Sequence, residues 1–174
     1  DLVTGDPAPV ASYSYNALGQ RVSKTVYPPS PLAPVTTEFV YGGGILETHV
    51  GGALSDIFVH VSGLMDKIQE NDSVDLSAAP LVRLNAGGVA TYFHTDDLGN
   101  VLALTDELGM VGDRYEYADF GEVSFLNSDG FPLVTNAALS GNPFLFHGME
   151  WDSETGLYLE RSGVPVMEWT FEKG

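Results

Sequence analysis

An all-β fold built from antiparallel hairpins is predicted by three features of this chain of 174 residues. Short segments alternate between apolar or aromatic and polar side chains, which is the period of a half-buried strand. Units of Asn or Asp followed three residues later by Gly recur between these segments. The 20 Gly and 10 Pro residues disfavour long helices. We therefore expect at most one or two short helices.

The first hairpin is predicted after an irregular N-terminal segment, residues 1–12. Tyr13 and Tyr15 alternate with polar residues, and a second alternating run follows at residues 21–27. Between them, the side chain of Asn16 can accept hydrogen bonds from backbone N–H groups ahead of it, and Gly19 can adopt a positive φ angle. This chemistry is typical of a hairpin turn followed by a bulge.

The same unit returns in the second half of the chain. Its Gly positions at 99, 109 and 121 lie ten and twelve residues apart, the spacing of short antiparallel strands. Asp96 with Gly99 and Asp106 with Gly109 carry this pattern, Asp119 with Gly121 is a looser copy, and Asp152 with Gly156 is a longer one.

The remaining segments are predicted with the same rules. Residues 28–34, PPSPLAP, form a stiff connector, and a Gly run at residues 42–44 separates two strands. Residues 56–71 are predicted as a strand that turns into another strand, with a short helix at 64–70 as the alternative. Further turns are expected at 85–88 and 127–130, and the best helical candidate is the segment 132–141.

The charge of the chain excludes several functions. The net charge is −17, from 24 acidic and 7 basic residues. Nucleic acids and anionic membranes are bound mainly by Lys and Arg, so neither is an expected partner. The charge favours solubility by self-repulsion over a specific cationic partner. No window approaches the ~18 apolar residues of a membrane span.

No metal or cofactor site is predicted. The chain has no Cys, which excludes disulfides and thiolate ligands. The four His residues are scattered, and no acidic cluster has the spacing of a calcium-binding loop. No catalytic Ser motif or phosphate-binding Gly loop is present, so no catalytic residue is expected. The His positions are 49, 60, 94 and 147.

Three segments resemble the Rhs-type family of YD-repeat proteins. The stretch YSYNALGQRV, from Tyr13, resembles a YD repeat, and residues 92–123 resemble the start of the repeat-associated core. The stretch GNPFLFHGMEWDSETGLYLER, residues 141–161, is similar to the recurring end of that core. Its motif positions here are Gly141, Asn142, Pro143, Gly148, Asp152 and Gly156.

The family includes bacterial Rhs proteins, the C component of insecticidal toxin complexes and animal teneurins. The resemblance implies hairpins that stack into a spiralling sheet or shell, with the core as a plug and with Tyr13, Tyr15, Tyr115 and Tyr117 stacked between neighbouring hairpins. It divides the chain into an N-terminal segment (1–12), YD-repeat-like hairpins (13–91), a core-like segment (92–161) and a divergent tail (162–174). Toxin-type members continue with an Asp-Pro-Gly cleavage signature. Here the only Asp-Pro is Asp6-Pro7, so self-cleavage cannot be carried over.

The sequence thus predicts a non-catalytic, structural and encapsulating scaffold without a cofactor. One alternative is a surface adhesion module that binds a glycan or a protein, and another is the remnant of a self-cleaving aspartyl peptidase. The expected partners are further YD repeats of the same polypeptide or a copy of the chain, and an encapsulated or receptor protein. A chain that begins at Asp1 is expected to be an excised piece. The resemblance implies a secreted or cell-surface location.

Overall fold

The computed structural model describes residues 9–42, 44–60, 79–135 and 137–159. Twelve strands lie within these ranges. They are β1 (Ala11–Tyr15), β2 (Arg21–Val26), β3 (Val35–Tyr41), β4 (Ile45–Val50), β5 (Ala53–Val59), β6 (Val82–Asn85), β7 (Ala90–Thr95), β8 (Val101–Thr105), β9 (Val111–Tyr117), β10 (Val123–Leu126), β11 (Glu150–Asp152) and β12 (Leu157–Leu159).

The first ten strands form one antiparallel sheet in the order of the sequence, from β1 to β10. Strands β11 and β12 form a separate hairpin. The only helical element in the described part of the chain is a single 3₁₀ turn, Phe146–Gly148. The predicted all-β fold is therefore confirmed, and the hairpin rhythm of the sequence is the rhythm of a continuous meander.

One face of the sheet is the core. Its buried side chains come from strands across the sheet and include Ile45, Phe58, Phe93, Leu104 and Phe125. A C-terminal segment, residues 142–159, lies against this face. We call it the strap. Its Phe144 is fully buried and packs edge-on against Phe58 and Phe93, with ring centroids 5.1 and 6.3 Å apart.

The sheet curls around the strap. In a flat sheet, β2 and β10 would lie about 38 Å apart, eight spacings of ~4.8 Å. Yet two consecutive strap residues contact both strands: Asp152 is hydrogen-bonded to Arg21 of β2, and Trp151 packs on Phe125 of β10 with centroids 6.4 Å apart. The concave face therefore closes on the strap and brings distant strands together.

Several details differ from the sequence predictions. The segment 132–141 is not helical in its described residues, because its backbone is bonded to its neighbours. Pro132 bridges to Leu126, and the backbone N–H groups of Leu139 and Ser140 donate to the buried carboxylate of Asp113. The predicted second strand, or alternatively the helix at 64–70, falls in a segment, residues 61–78, that lies outside the described residues.

Two boundaries also shift. Strand β1 begins at Ala11, inside the segment predicted to be irregular, and Val10 already accepts a hydrogen bond from Tyr27. The turn before Gly121 begins at Ala118 rather than Asp119, because the N–H of Gly121 donates to the Ala118 carbonyl. The turn therefore ends at Gly121 as predicted, but its first residue is Ala118, and Asp119 occupies the second position.

Candidate functional site

An ionic cluster joins the two ends of the described chain. We call it the clamp: Arg21 and Lys24 on β2, with Glu150, Asp152 and Glu154 of the strap. The guanidinium of Arg21 is 2% exposed and donates from Nη1 to both oxygens of Asp152, at 2.6 and 2.9 Å. Its Nη2 donates to Glu150 at 2.5 Å. The clamp thereby joins β2 to a segment of the chain that lies 131 positions further on, at Asp152.

The second half of the clamp is closer to solvent. Lys24 Nζ donates to Asp152 at 2.8 Å and lies 3.2 Å from Glu154. The phenol of Tyr13 on β1 donates to Glu154 at 3.1 Å. Burial raises the pKa of Tyr13, and the negative charges of Asp152 and Glu154 raise it further. The phenol therefore stays protonated at neutral pH and serves as a donor.

Aromatic rings surround the Arg21 guanidinium. It lies 5.4 Å from the ring centre of Tyr13 and 4.9 Å from that of Phe39, within cation–π range. Burial acts to lower the pKa of Arg21, but the charges of Glu150 and Asp152 outweigh it and the pKa is raised. Arg21 is therefore a permanent cation that lies between two carboxylates.

This pairing defines what the cluster can do chemically. Two carboxylates that act as general acid and base need environments that separate their proton affinities. Here Glu150 and Asp152 share the same guanidinium, and Asp152 also binds Lys24. The geometry suits the mechanical linkage of β2 to the strap.

Two of the predicted turns hold the other end of the strap. Asn100, which follows Gly99, accepts a hydrogen bond from the backbone N–H of His147 at 2.9 Å. The His147 ring Nδ1 lies 3.0 Å from the Leu98 carbonyl. Asp96 accepts from the backbone N–H groups of Leu98 and Asn100. Loss of contact with water acts to raise the pKa of Asp96, but the hydrogen bonds from the Asn100 side chain and from these two backbone N–H groups together outweigh it and lower the pKa.

The turn at Gly121 receives the aromatic side chains of the strap. Gly121 has φ of 87°, and a Cβ atom built on it would lie 2.7 Å from the Phe146 ring. Its carbonyl accepts a hydrogen bond from Tyr158 at 3.0 Å. Phe146 also packs against Tyr117 and Tyr158, with centroids 5.6 and 6.1 Å away. Gly121 therefore provides both a turn and a place for the strap.

The residues of the motif that begins at Gly141 shape the entry of the strap. Asn142 is buried; its Oδ1 accepts from the Phe144 N–H, and its Nδ2 donates to the Phe144 carbonyl at 2.7 Å. Pro143 accepts from the Trp151 N–H at 2.7 Å. Gly141 and Gly148 have positive φ angles of 71° and 67°. These residues fold the strap back on itself before β11.

The other predicted turn residues lie away from the strap. Asn16 and Asp106 each accept backbone N–H bonds two and four residues ahead, and Gly19 and Gly109 follow with φ of 76° and 77°. Gly156, with φ of 70°, closes the β11–β12 turn, where its N–H donates to the Asp152 carbonyl. Tyr115 packs on Phe125 of the neighbouring strand β10, whereas Tyr117 packs on Phe146 of the strap and not on a neighbouring hairpin. Tyr15 is half exposed.

A separate polar cleft of about 660 Å³ lies between the β4–β5 hairpin, the β6–β7 turn and residues 140–141. Asp56 and Arg83 line this cleft, and Asp56 Oδ1 lies 3.7 Å from Arg83 Nε. Arg83 Nη1 donates to the Ser140 carbonyl, and Asp56 accepts from Ser55. The two opposite charges leave the cleft without a net charge of its own.

Within the described ranges, no group of three or more His, Asp and Glu side chains is arranged to hold a metal ion. No helix in those ranges is long and apolar enough to cross a membrane.

Sequence reasoning missed the clamp. Arg21 was assigned only to a strand, and Glu150 and Lys24 were not singled out. A signal was present, because Glu150, Asp152 and Glu154 recur with the period of one strand face, and two of the 7 basic residues lie together at positions 21 and 24. This alternation does not show which distant strand would supply the basic partners of these acidic side chains.

The fold defines this chain as a curled β-hairpin sheet bridged by its own C-terminal strap. Comparisons with solved structures agree. A TcdB2-TccC3 crystal structure matches 92% of the chain with a TM-score of 0.55 and 18% identity, and the Photorhabdus luminescens Tc holotoxin pore matches 87% with a TM-score of 0.53 and 17% identity. The TcdB2-TccC3-Cdc42 structure matches 85% with a TM-score of 0.52. These likenesses show the fold.

Among curated proteins, the chain is 24% identical over 156 residues to the tRNA3(Ser)-specific nuclease WapA of Bacillus spizizenii. That alignment covers 88% of this chain and 6% of WapA, and the structural matches cover 7–8% of their much longer chains. No protein-family profile matches the sequence. The chain therefore corresponds to a small section of each of these proteins.

Proposed function

We propose that this chain is a non-catalytic wall section of a YD-repeat shell in a secreted or cell-surface protein of the Rhs type. The observation that carries the proposal is the continuous ten-stranded meander that curls around its own strap. Solved structures of toxin-complex components share this fold, and the tRNA3(Ser)-specific nuclease WapA is similar to this chain in sequence over a small part of its length. The repeated turns act as structural units of the wall.

The strap gives this section a closing role within such a shell. Its side chains Phe144 and Leu145 are fully buried, so the concave face of this section is already filled. An enclosed protein would therefore lie against other parts of the wall. The partners of the section are further repeats of the same polypeptide or a second copy, and the enclosed or receptor protein contacts the shell as a whole.

Limited proteolysis followed by mass spectrometry tests this proposal. A wall section should yield one resistant fragment that contains both β2 and β11, because the clamp holds them together. Early cleavage between β10 and the strap, with release of the strap, would contradict the proposal. The parent chain incubated alone should remain intact, because the proposed section does not cut itself.

The polar cleft favours a second candidate function, adhesion to a neutral glycan. Its volume lies in the range of small-molecule sites, and its paired Asp56 and Arg83 offer an acceptor and donors without net charge. Saturation-transfer NMR with a panel of neutral mono- and disaccharides tests it. Signals that disappear in Asp56→Asn but persist in the surface control Asp97→Asn would support adhesion, and the absence of any signal would exclude it.

A further inference from the structure

Three hairpin turns at one end of the sheet share the same structure. They begin at Asn85, Asp106 and Asn127, at a constant interval of twenty-one residues. Each of these side chains accepts the backbone N–H groups two and four residues ahead. The backbone N–H of each first residue donates to the carbonyl of the residue that closes the turn, and these closing residues are Val89, Met110 and Phe131.

All three closing residues are apolar and open to solvent. Val89 is 54% exposed, Met110 66% and Phe131 68%, and Leu108 at the tip of the middle turn is exposed as well. We call these four residues the apolar rim. The same turn position is polar at the opposite end of the sheet, where the closing residues are Gln20, Asn100 and Glu122. The turn itself therefore does not require an apolar closing residue, and a row of exposed apolar side chains marks an interaction surface.

The apolar rim presents its closing residues at a regular spacing. Neighbouring turns at one end of a meander are two strands apart, and strands lie ~4.8 Å apart. Val89, Met110 and Phe131 therefore follow one another at about 9.6 Å. A polyproline-II segment has three residues per turn, so the same face returns every ~9.3 Å. An α-helix returns the same face only after seven residues, at ~10.5 Å, and loses register sooner.

Carboxylates stand between the apolar side chains of the rim. Asp106 and Glu107 are exposed in the middle turn, and Asp129 is exposed in the third. One cation contacts this end of the sheet, because Arg114 Nε donates to the Ser128 carbonyl. The excess of acidic groups favours a partner that carries Lys or Arg between its apolar residues.

The same carboxylates disfavour two other occupants. A row of hairpins like the opposite end of this sheet presents Leu98 and Phe120 at its tips, but Asp97 and Asp119 precede them. Two such ends would therefore bring like charges together, which costs several kcal/mol. A lipid surface would remove water from the carboxylates of the rim, which is also unfavourable.

We propose that the apolar rim binds an extended basic peptide segment of a partner protein, with an apolar residue at every third position and Lys or Arg between. In the polyproline-II conformation, successive apolar residues of this segment lie against Val89, Met110 and Phe131, and its cations lie near the acidic turn residues. Segments that contain Pro fit this surface because their conformation is preformed and loses little entropy on binding. This inference goes beyond the proposed wall section and does not depend on it.

Fluorescence anisotropy with three labelled peptides tests the binding to the whole chain at physiological ionic strength. A peptide of four Leu-Pro-Lys repeats should bind at least about tenfold more tightly than one of four Ser-Pro-Lys repeats, because only the first buries apolar side chains. Both carry the same charge. A peptide of Leu-Pro-Lys-Pro repeats places Leu at every fourth position and should bind as weakly as the Ser peptide.

Two variants locate the binding surface without any change of charge. Met110→Ser and Phe131→Ser each remove one exposed side chain from the rim, and each should weaken binding of the Leu-Pro-Lys peptide about tenfold. Leu98→Ser is the matched control at a tip of the opposite end and should bind like the parent chain. Far-UV circular dichroism shows that each variant keeps the fold.

Equal binding of the Leu-Pro-Lys and Ser-Pro-Lys peptides would mean attraction by net charge alone and would overturn the proposal. So would equal losses in Leu98→Ser and Met110→Ser. Without any preference among the peptides, self-association of the parent chain that Met110→Ser abolishes would assign the rim to a second copy. Binding to phosphatidylcholine vesicles that Met110→Ser abolishes would assign it to a lipid surface. The proteolytic test of the wall section depends on the clamp and is unaffected by these outcomes.

Discussion

Asp152 illustrates at the scale of one residue how a motif position gains a role from its surroundings. The sequence indicates a turn acid, and its carbonyl does accept the N–H groups that close the β11–β12 turn. Its carboxylate, however, points into the clamp and binds both Arg21 and Lys24. One residue therefore shapes the local turn with its backbone and joins distant strands with its side chain.

The substitution Asp152→Asn should destabilise the protein by about 1.5–3 kcal/mol, the usual contribution of hydrogen bonds to charged groups. It keeps the size of the side chain but removes the charge that faces two cations. Asp97→Asn, on an exposed turn, is the control and should change the free energy of unfolding by less than about 0.5 kcal/mol. Urea denaturation measures both values, and equal values would contradict a structural role of the clamp.

A second residue-scale prediction separates the two functions of the turn glycines. Gly109→Ala meets no neighbouring atom, so its cost is the positive φ alone, about 1–2 kcal/mol. Gly121→Ala has the same backbone cost and also places a methyl group against Phe146.

We expect Gly121→Ala to lower the melting temperature clearly more than Gly109→Ala. Differential scanning calorimetry on both variants provides the comparison. Equal losses would mean that Phe146 moves away from Gly121 without cost and that the strap is not held at this turn.

At the scale of elements, two partly buried Tyr residues hold β9 and the strap against their neighbours, and Tyr117 of β9 also packs on Phe146 of the strap. Tyr117 donates to the Val101 carbonyl at 2.6 Å, and Tyr158 donates to Gly121. Burial raises the pKa of both Tyr residues above the ordinary value of about 10, and nearby groups raise that of Tyr117 further. The folded state thus binds these protons more tightly than the unfolded state does.

The sign of the resulting pH dependence follows from these raised pKa values. The contribution to stability is complete below about pH 10, the pKa of an unfolded Tyr, and is lost as the pH rises toward the folded pKa. We expect the melting temperature to fall above pH 10. In Tyr117→Phe this loss should be smaller, whereas Tyr27→Phe, at an exposed position, should behave like the parent chain. An unchanged pH profile in Tyr117→Phe would contradict the assignment.

The sequence could predict those elements whose causes are local. Asn16 and Asp106 form their turns with backbone groups two and four residues ahead, so a short window contains the whole cause. The segment 132–141 failed as a helix because its backbone partners include Asp113, far away in the sequence. The clamp was missed for the same reason: Arg21 has its partners 129 and 131 positions away.

For the whole molecule, the absence of catalysis is itself a prediction. Glu150 and Asp152 share a cation, and the only Asp-Pro bond in the sequence lies at Asp6. We expect the intact mass of the purified chain to stay unchanged over days at neutral pH. A discrete fragment that disappears in Glu150→Gln or Asp152→Asn would show that the cluster is a peptidase.

The curl of the sheet leads to a last prediction about cooperativity. Among the strands that the structure describes, β1 and β2 are joined to the rest of the sheet through β3, and the clamp is a second attachment to the strap. Arg21→Met removes the cation that Glu150 and Asp152 share, while Lys24 remains paired with Asp152. Breaking a buried ion pair from one side typically costs about 3–5 kcal/mol. Because this loss of stability weakens only the attachment of the first hairpin to the strap, these two segments should open locally before the remaining strands unfold.

Hydrogen exchange with mass spectrometry can resolve this local opening. In the parent chain, amides of β2 and β11 should exchange together with those of β8 and β9. In Arg21→Met, peptides from β1–β2 and from β11–β12 should exchange much faster, while β8 and β9 keep their protection. Arg114→Met, whose Nε donates to an exposed Ser128 carbonyl, is the matched control and should preserve the parent pattern. A uniform acceleration over all strands would show that the sheet transmits the loss as one unit and that the clamp is not a separate attachment.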